Sequence, residues 1–189
     1  MALGDSKTAT PNTWPELLRA SVSSATGREV ELSNWGVGGT KANALVVAPF
    51  LATAPWETTQ ALAFLVDFGV NDLGTGSIVT PESVFKSDYL AMIDAVRAKY
   101  PYSVFYLARP WRSVQMPNFP DSDAIFDTMA GWIADVAASR PNVFLGHDER
   151  VWMRNGDNGV TYTTDGVHYN TAAQAVVRDE WMEVLGYVP

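Results

Sequence analysis

The chain switches repeatedly between short apolar runs and longer amphipathic segments. "MAL", "ALAFLVDF", "YSVFYLA" and "NVFLG" are almost continuously apolar, the pattern of strands covered on both faces. "REVELSN" alternates apolar and polar positions and reads as a further strand. The segments between them carry apolar residues at helical spacing. "TWPELLRASVSSATG" opens with the capping box Thr13-x-x-Glu16, has Pro15 in its first turn and ends at Gly27. "TPESVFKSDYLAMIDAVRAKY" predicts the clearest helix, with Thr80 as cap, Pro81 as first residue and an apolar stripe through Val84, Tyr89, Ile93 and Val96. "TKANALVVAPFL", "DSDAIFDTMAGWIADVAASR" and "NTAAQAVVRDEWMEVLG" add three more helices, the last capped by Asn170 and stopped by Gly186. "VWMRNGDNGVTYT" is turn-rich and predicts a small hairpin around Asn155–Gly159.

Five strands separated by helices predict one α/β domain over residues 1–189, with a parallel sheet covered on both faces. In such sheets, sites form at the carboxyl ends of the strands. The loops to search are Gly4–Thr8, Asn34–Thr40, Gly69–Gly76, Arg109–Met116 and the stretch from His147 to His168.

Composition narrows the chemistry. Hydrophobic residues make up 47% and charged residues 18%, enough for a full core and against disorder. A net charge of −8 argues against nucleic acid and anionic membranes as partners. With no cysteine, thiolate nucleophiles, disulfides and zinc–thiolate sites are excluded. No run approaches the roughly 20 apolar residues of a membrane span. No basic region followed by an apolar stretch marks a signal peptide, but the chain starts abruptly on a strand. A processed secreted protein or a domain of a larger one therefore stays open, as do compartment and oligomeric state. "DSD" and "NGDNG" hold oxygen ligands without the spacing of a calcium loop, so no metal is expected.

Only two histidines compete for the role of general base, His147 and His168. Asp165 stands three residues before His168, in a loop that can bring its carboxylate to one imidazole nitrogen and leave the other free. Ser6, after the first strand, lies on the same sheet edge; its hydroxyl needs such a base to become a nucleophile. Alone, Gly4-Asp5-Ser6 reads as a turn rather than a nucleophile. "NWGVGGTKA" offers backbone N–H groups at Gly36, Gly38 and Gly39, and "DFGVNDL" places the Asn71 amide at the end of another strand. His147 lacks the Asp-x-x-His context and reads as a structural histidine. Lys7 reads as a solvent-facing cation.

In this order, Gly4-Asp5-Ser6, Asn34-x-Gly-x-x-Gly39, Gly69-x-Asn71-Asp72 and Asp165-x-x-His168 resemble the blocks of the SGNH (GDSL-type) hydrolases. The blocks span nearly the whole chain. The resemblance implies a flavodoxin-like three-layer α/β/α sandwich with a five-stranded parallel sheet. It implies Ser6 as nucleophile, His168 as base and Asp165 as its orienting partner. Ser6 N–H, Gly39 N–H and the Asn71 amide would form the oxyanion hole. It implies ester or thioester hydrolysis, or acyl transfer, without a cofactor.

The first strand is shorter than is usual in that family: Met1, Ala2 and Leu3 are all that precede the Gly4 block. Trp35, Trp111 and Arg112 fall in loops after strands and are candidates to hold a sugar or aryl group, with loop packing as the competing reading. No long apolar lid appears, which favours short acyl groups, acetyl on a carbohydrate among them. A phosphate-cradling role for "GVGGTKA" is the alternative from another class. It follows the second strand rather than the first and leaves Ser6, Asp165 and His168 unexplained.

Overall fold

The computed structural model describes residues 1–9, 13–53, 59, 61–73, 77–111, 122–154 and 161–187. Four strands form one parallel sheet in the order β1 (Ala2–Gly4), β2 (Ala63–Asp67), β3 (Val104–Arg109) and β4 (Val143–Asp148). The helices are α1 (Ser6–Ala9), α2 (Trp14–Thr26), α3 (Ala44–Thr53), α4 (Glu82–Lys99), α5 (Ser122–Ala138), α6 (Glu149–Met153) and α7 (Thr171–Val184). α2 packs on α7, while α3, α4 and α5 pack side by side, giving a three-layer α/β/α sandwich. The core is aromatic: Trp14 of α2 stacks on Trp181 of α7 with centroids 5.5 Å apart, and Phe64 of β2 stacks on Phe105 of β3 at 5.0 Å.

Three residues suffice for β1 because both sides are used. Ala2, Leu3 and Gly4 pair with Leu65, Val66 and Asp67, and Ala2 also bridges Asn34. The expected fifth strand reduces to that bridge. Residues 29–33 form no strand of their own, and Asn34 alone bridges to β1. The alternation survives without the ladder: Val30 and Leu32 pack on the core while Glu29 and Glu31 are exposed.

The helix signals hold with small shifts. Glu16 accepts from the Thr13 N–H at 3.0 Å, and Gly27 closes α2 at φ 65°. Helix α4 is capped by Pro81 rather than Thr80. The Thr80 hydroxyl is taken by the Lys41 ammonium, which donates to it at 2.7 Å. The hairpin expected around Asn155–Gly159 lies outside the described residues. Sequence reasoning missed α1, α6 and a 3₁₀ turn over Val70–Asp72. All three begin within three residues of the carboxyl end of a strand.

Candidate active site

Ser6 opens α1 directly after β1. The turn needs glycine at position 4, because a Cβ there would stand 2.1 Å from Thr8 Oγ1 and 2.8 Å from the Asp67 carbonyl. Asp5 fixes the turn from inside. Its carbonyl accepts from Thr8 and Ala9, and its Oδ1 accepts from the Lys7 N–H at 3.0 Å. The Ser6 side chain is thereby presented at the sheet edge, half-buried.

The loop before α7 brings the other two residues to it. Asp165 Oδ1 accepts the N–H groups of Val167 (3.0 Å) and His168 (2.8 Å), and its Oδ2 lies 2.7 Å from His168 Nδ1. His168 Nε2 lies 2.9 Å from Ser6 Oγ. Thr164 N–H donates to the His168 carbonyl at 2.8 Å, and Asn170 caps α7 by accepting from Ala173 N–H at 3.1 Å. Partial burial works against ionising Asp165, but its hydrogen bonds from His168 and Val167 outweigh it and hold the carboxyl below the ordinary range. With Nδ1 donating to this carboxylate, Nε2 is the nitrogen able to accept a proton from Ser6.

The glycine turn after Trp35 borders the serine, and the loop of Asn71 is tied to that turn. Gly38 runs beside the serine, so close that a Cβ there would be 3.7 Å from the Ser6 Cβ. Gly39 has φ 76° and faces open space. Asn71, in the 3₁₀ turn after β2, donates from Nδ2 to the Thr40 carbonyl at 2.9 Å, tying its own loop to the Gly38–Gly39 turn. A cleft of about 470 Å³ begins at this turn, lined by Val37, Gly39, Thr40, Leu45, Val46 and Pro49.

Behind the serine the structure corrects the reading of Lys7. The side chain is fully buried, not solvent-facing. Its ammonium lies 2.7 and 2.8 Å from the two Glu149 oxygens, 3.6 Å from Asp67 Oδ1 and 3.3 Å from the Tyr169 hydroxyl. Burial disfavours its charge, but Asp67, Glu149 and Asp5 together raise its pKa above the ordinary lysine value. Burial pushes Asp5 up to about 7 against the pull of Lys7, with the Asp67 carboxylate adding to the rise. Burial likewise pushes Glu149 up to about 8, again against Lys7 and with Asp67 adding. Burial and the crowding of three carboxylates around one ammonium thus both favour the protonated forms of Asp5 and Glu149, against the pull of Lys7.

His147 is buried and neutral, its pKa lowered to about 4 by burial, with its ring edge-on to Trp181 at 4.7 Å. Among the described residues, Asp67, His147 and Glu149 place metal-ligand atoms within 4.8 Å of one another. Lys7 already supplies the cation between the two carboxylates.

Trp111 is buried rather than open to a ligand. Its backbone N–H donates to Glu149 Oε2 at 2.9 Å and its indole N–H to Asp123 Oδ1 at 3.1 Å. Trp35 is half-buried and packs edge-on against Phe50 with centroids 5.4 Å apart. Arg112 lies outside the described residues. Sequence reasoning missed Glu149 and Tyr169. Both lie between the end of β4 and the start of α7, on the same edge of the sheet as Ser6.

A family model described as the GDSL-like lipase/acylhydrolase family matches residues 2–176. No curated protein sequence matches the chain. Solved structures do. A carbohydrate esterase family 3 protein from Talaromyces cellulolyticus superposes with TM-score 0.73 at 16% identity, covering 100% of this chain and 98% of that one. The acetyl xylan esterase AlAXEase gives 0.70 at 21% identity, covering 97% and 98%. The psychrotrophic esterase EstA from Pseudoalteromonas sp. gives 0.69 at 18% identity, covering 98% and 94%. At these identities the likeness is one of fold.

Proposed function

Because the chain belongs to the GDSL-like lipase/acylhydrolase family, we propose that it is a serine esterase that cleaves short acyl esters, acetyl groups on a carbohydrate above all, through an acyl-enzyme on Ser6. The observation that carries this reading is the continuous hydrogen-bonded chain from Ser6 Oγ through His168 to Asp165, at 2.9 and 2.7 Å. His168 Nε2 takes the serine proton as Oγ attacks the ester carbonyl. The resulting imidazolium is stabilised by Asp165 and returns the proton to the leaving alcohol. Water then attacks the acyl-enzyme with the same base. The Ser6 and Gly39 N–H groups and the Asn71 amide meet the oxyanion.

The acetyl preference rests on weaker support. Two of the like-folded proteins are named for carbohydrate and acetyl xylan esters. The cleft beside Gly39 lies within the usual size of a small-molecule site, roughly 300–1,000 Å³. The test is hydrolysis of p-nitrophenyl esters of increasing acyl length and of an acetylated oligosaccharide. Ser6→Ala should lower kcat by about 10³-fold or more. Equal turnover by the variant would defeat the serine mechanism. Equal rates on acetyl and long-chain esters would defeat the short-acyl preference alone.

A further inference from the structure

The residue after the serine and the residue after the histidine touch each other. Lys7 Nζ donates to the Tyr169 hydroxyl at 3.3 Å and lies 5.2 Å from the centre of its ring. Both also bond to one carboxylate: Glu149 accepts from Lys7 at 2.7 and 2.8 Å, and the Tyr169 hydroxyl hydrogen-bonds to it. Glu149 reaches further, accepting from the Trp111 N–H at 2.9 Å. The loops after β1, β3 and β4 and the loop before α7 thus meet at one buried point. Lys7 adds the end of β2 through Asp67.

We propose that Lys7, Glu149 and Tyr169 form a buried clamp that holds the Ser6 hydroxyl and the His168 imidazole in register, with Lys7 and Glu149 as positioning residues. The inference rests on the serine-esterase reading above. Nothing about the fold demands charges here, since a buried ion pair is often matched or bettered in stability by apolar residues of the same size. What the pair supplies is direction. An ammonium accepted by two carboxylate oxygens fixes where residue 7 sits. Residue 6 precedes it by one peptide unit and is fixed with it, and Tyr169 fixes His168 in the same way. The Ser6–His168 contact closes over 162 residues of sequence. A misplacement of about 1 Å at such a contact can cost on the order of 10²-fold in rate.

The test uses the full chain with Lys7→Met/Glu149→Gln and, separately, Tyr169→Phe. The double variant removes both charges together, and its glutamine oxygen still accepts from the Trp111 N–H. The expected result is a kcat for p-nitrophenyl acetate lower by about 10–100-fold with KM within about threefold. Labelling of Ser6 by a fluorophosphonate should slow in parallel, and the downfield NMR proton of the His168–Asp165 bond should shift. The melting temperature should fall less than in Lys7→Met alone, with the remaining loss due to Asp67, and kcat is read per folded molecule. Tyr169→Phe should slow labelling by about three- to tenfold.

Parental kcat per folded molecule in the double variant overturns the clamp. If the double variant does not fold, Tyr169→Phe decides: slowed labelling at an unchanged melting temperature supports the clamp, and parental labelling overturns it. A parent protein that neither hydrolyses esters nor takes the label defeats the esterase reading instead. The NMR proton then decides the clamp alone, and an unmoved resonance in both variants overturns it.

Discussion

Ser6 and Lys7 are consecutive, as are His168 and Tyr169, yet the two members of each pair live in different media. The Ser6–His168–Asp165 chain opens to water, with the histidine and aspartate side chains 43% and 50% exposed. The Lys7–Glu149–Tyr169 cluster has no such access: the side chains of Lys7 and Glu149 are wholly covered. The difference separates two tasks. A group that must accept a proton and meet a substrate has to face the cleft, and exposure weakens its hold on geometry. A group that only fixes position works best where low polarizability strengthens each contact and side chains cannot wander. Alternating exposure from one residue to the next lets one stretch of backbone do both.

The comparison breaks most visibly on the buried side. Lys7→Met alone strands Glu149 and Asp67 without their cation, and should cost about 3–5 kcal/mol of unfolding free energy in urea melts. The Lys7→Met/Glu149→Gln variant should recover the part of that loss due to Glu149, while the buried Asp67 stays without its cation. A single variant as stable as the parent would show that the cluster is held together by packing alone.

On the open side the corresponding loss is in rate rather than stability. Asn71→Ala removes a candidate oxyanion donor and frees the Thr40 carbonyl it holds. It should lower kcat by about 10²–10³-fold with little change in KM. The melting temperature should hardly move, since Asn71 is only half-buried. An unchanged kcat would remove Asn71 from the oxyanion hole.

The sequence displays these two regions unequally, for a physical reason. The open chain needs particular residue types at particular loop positions, and two histidines left few ways to assemble it. Ser6, Asp165 and His168 were therefore legible, as were α2, α4, α5 and α7 from their caps and stripes. The buried cluster is written in lysine, glutamate and aspartate, whose default place is the surface. Nothing local to "GDSKT" or "GHDERV" says that Lys7 and Glu149 face inward. That follows only from the tertiary fold, in which Lys7 after β1 reaches past Asp67 at the end of β2 to Glu149 after β4. The fifth strand failed in the complementary way. Its alternation was real, but a ladder also needs backbone pairing, and only Asn34 bridges to β1.

The smallest effect tests the coupling between the regions. Asp5 directly precedes the Ser6–Lys7 pair, bonded to the Lys7 N–H and buried against Asp67. Burial raises its pKa from 3.8 to about 7, against the attraction of Lys7. A carboxyl raised in the folded protein contributes fully to stability below its unfolded value, and that contribution is lost as pH climbs through the folded one. Asp5→Asn keeps the acceptor for the Lys7 N–H and removes the titration. Its melting temperature relative to the parent should therefore rise with pH, between the unfolded value near 4 and the folded value near 7. The Met1 amino group and His147, whose pKa values burial lowers to about 5 and about 4, titrate in both proteins and cancel in the difference. A difference that stays flat with pH would mean that Asp5 is ionised throughout.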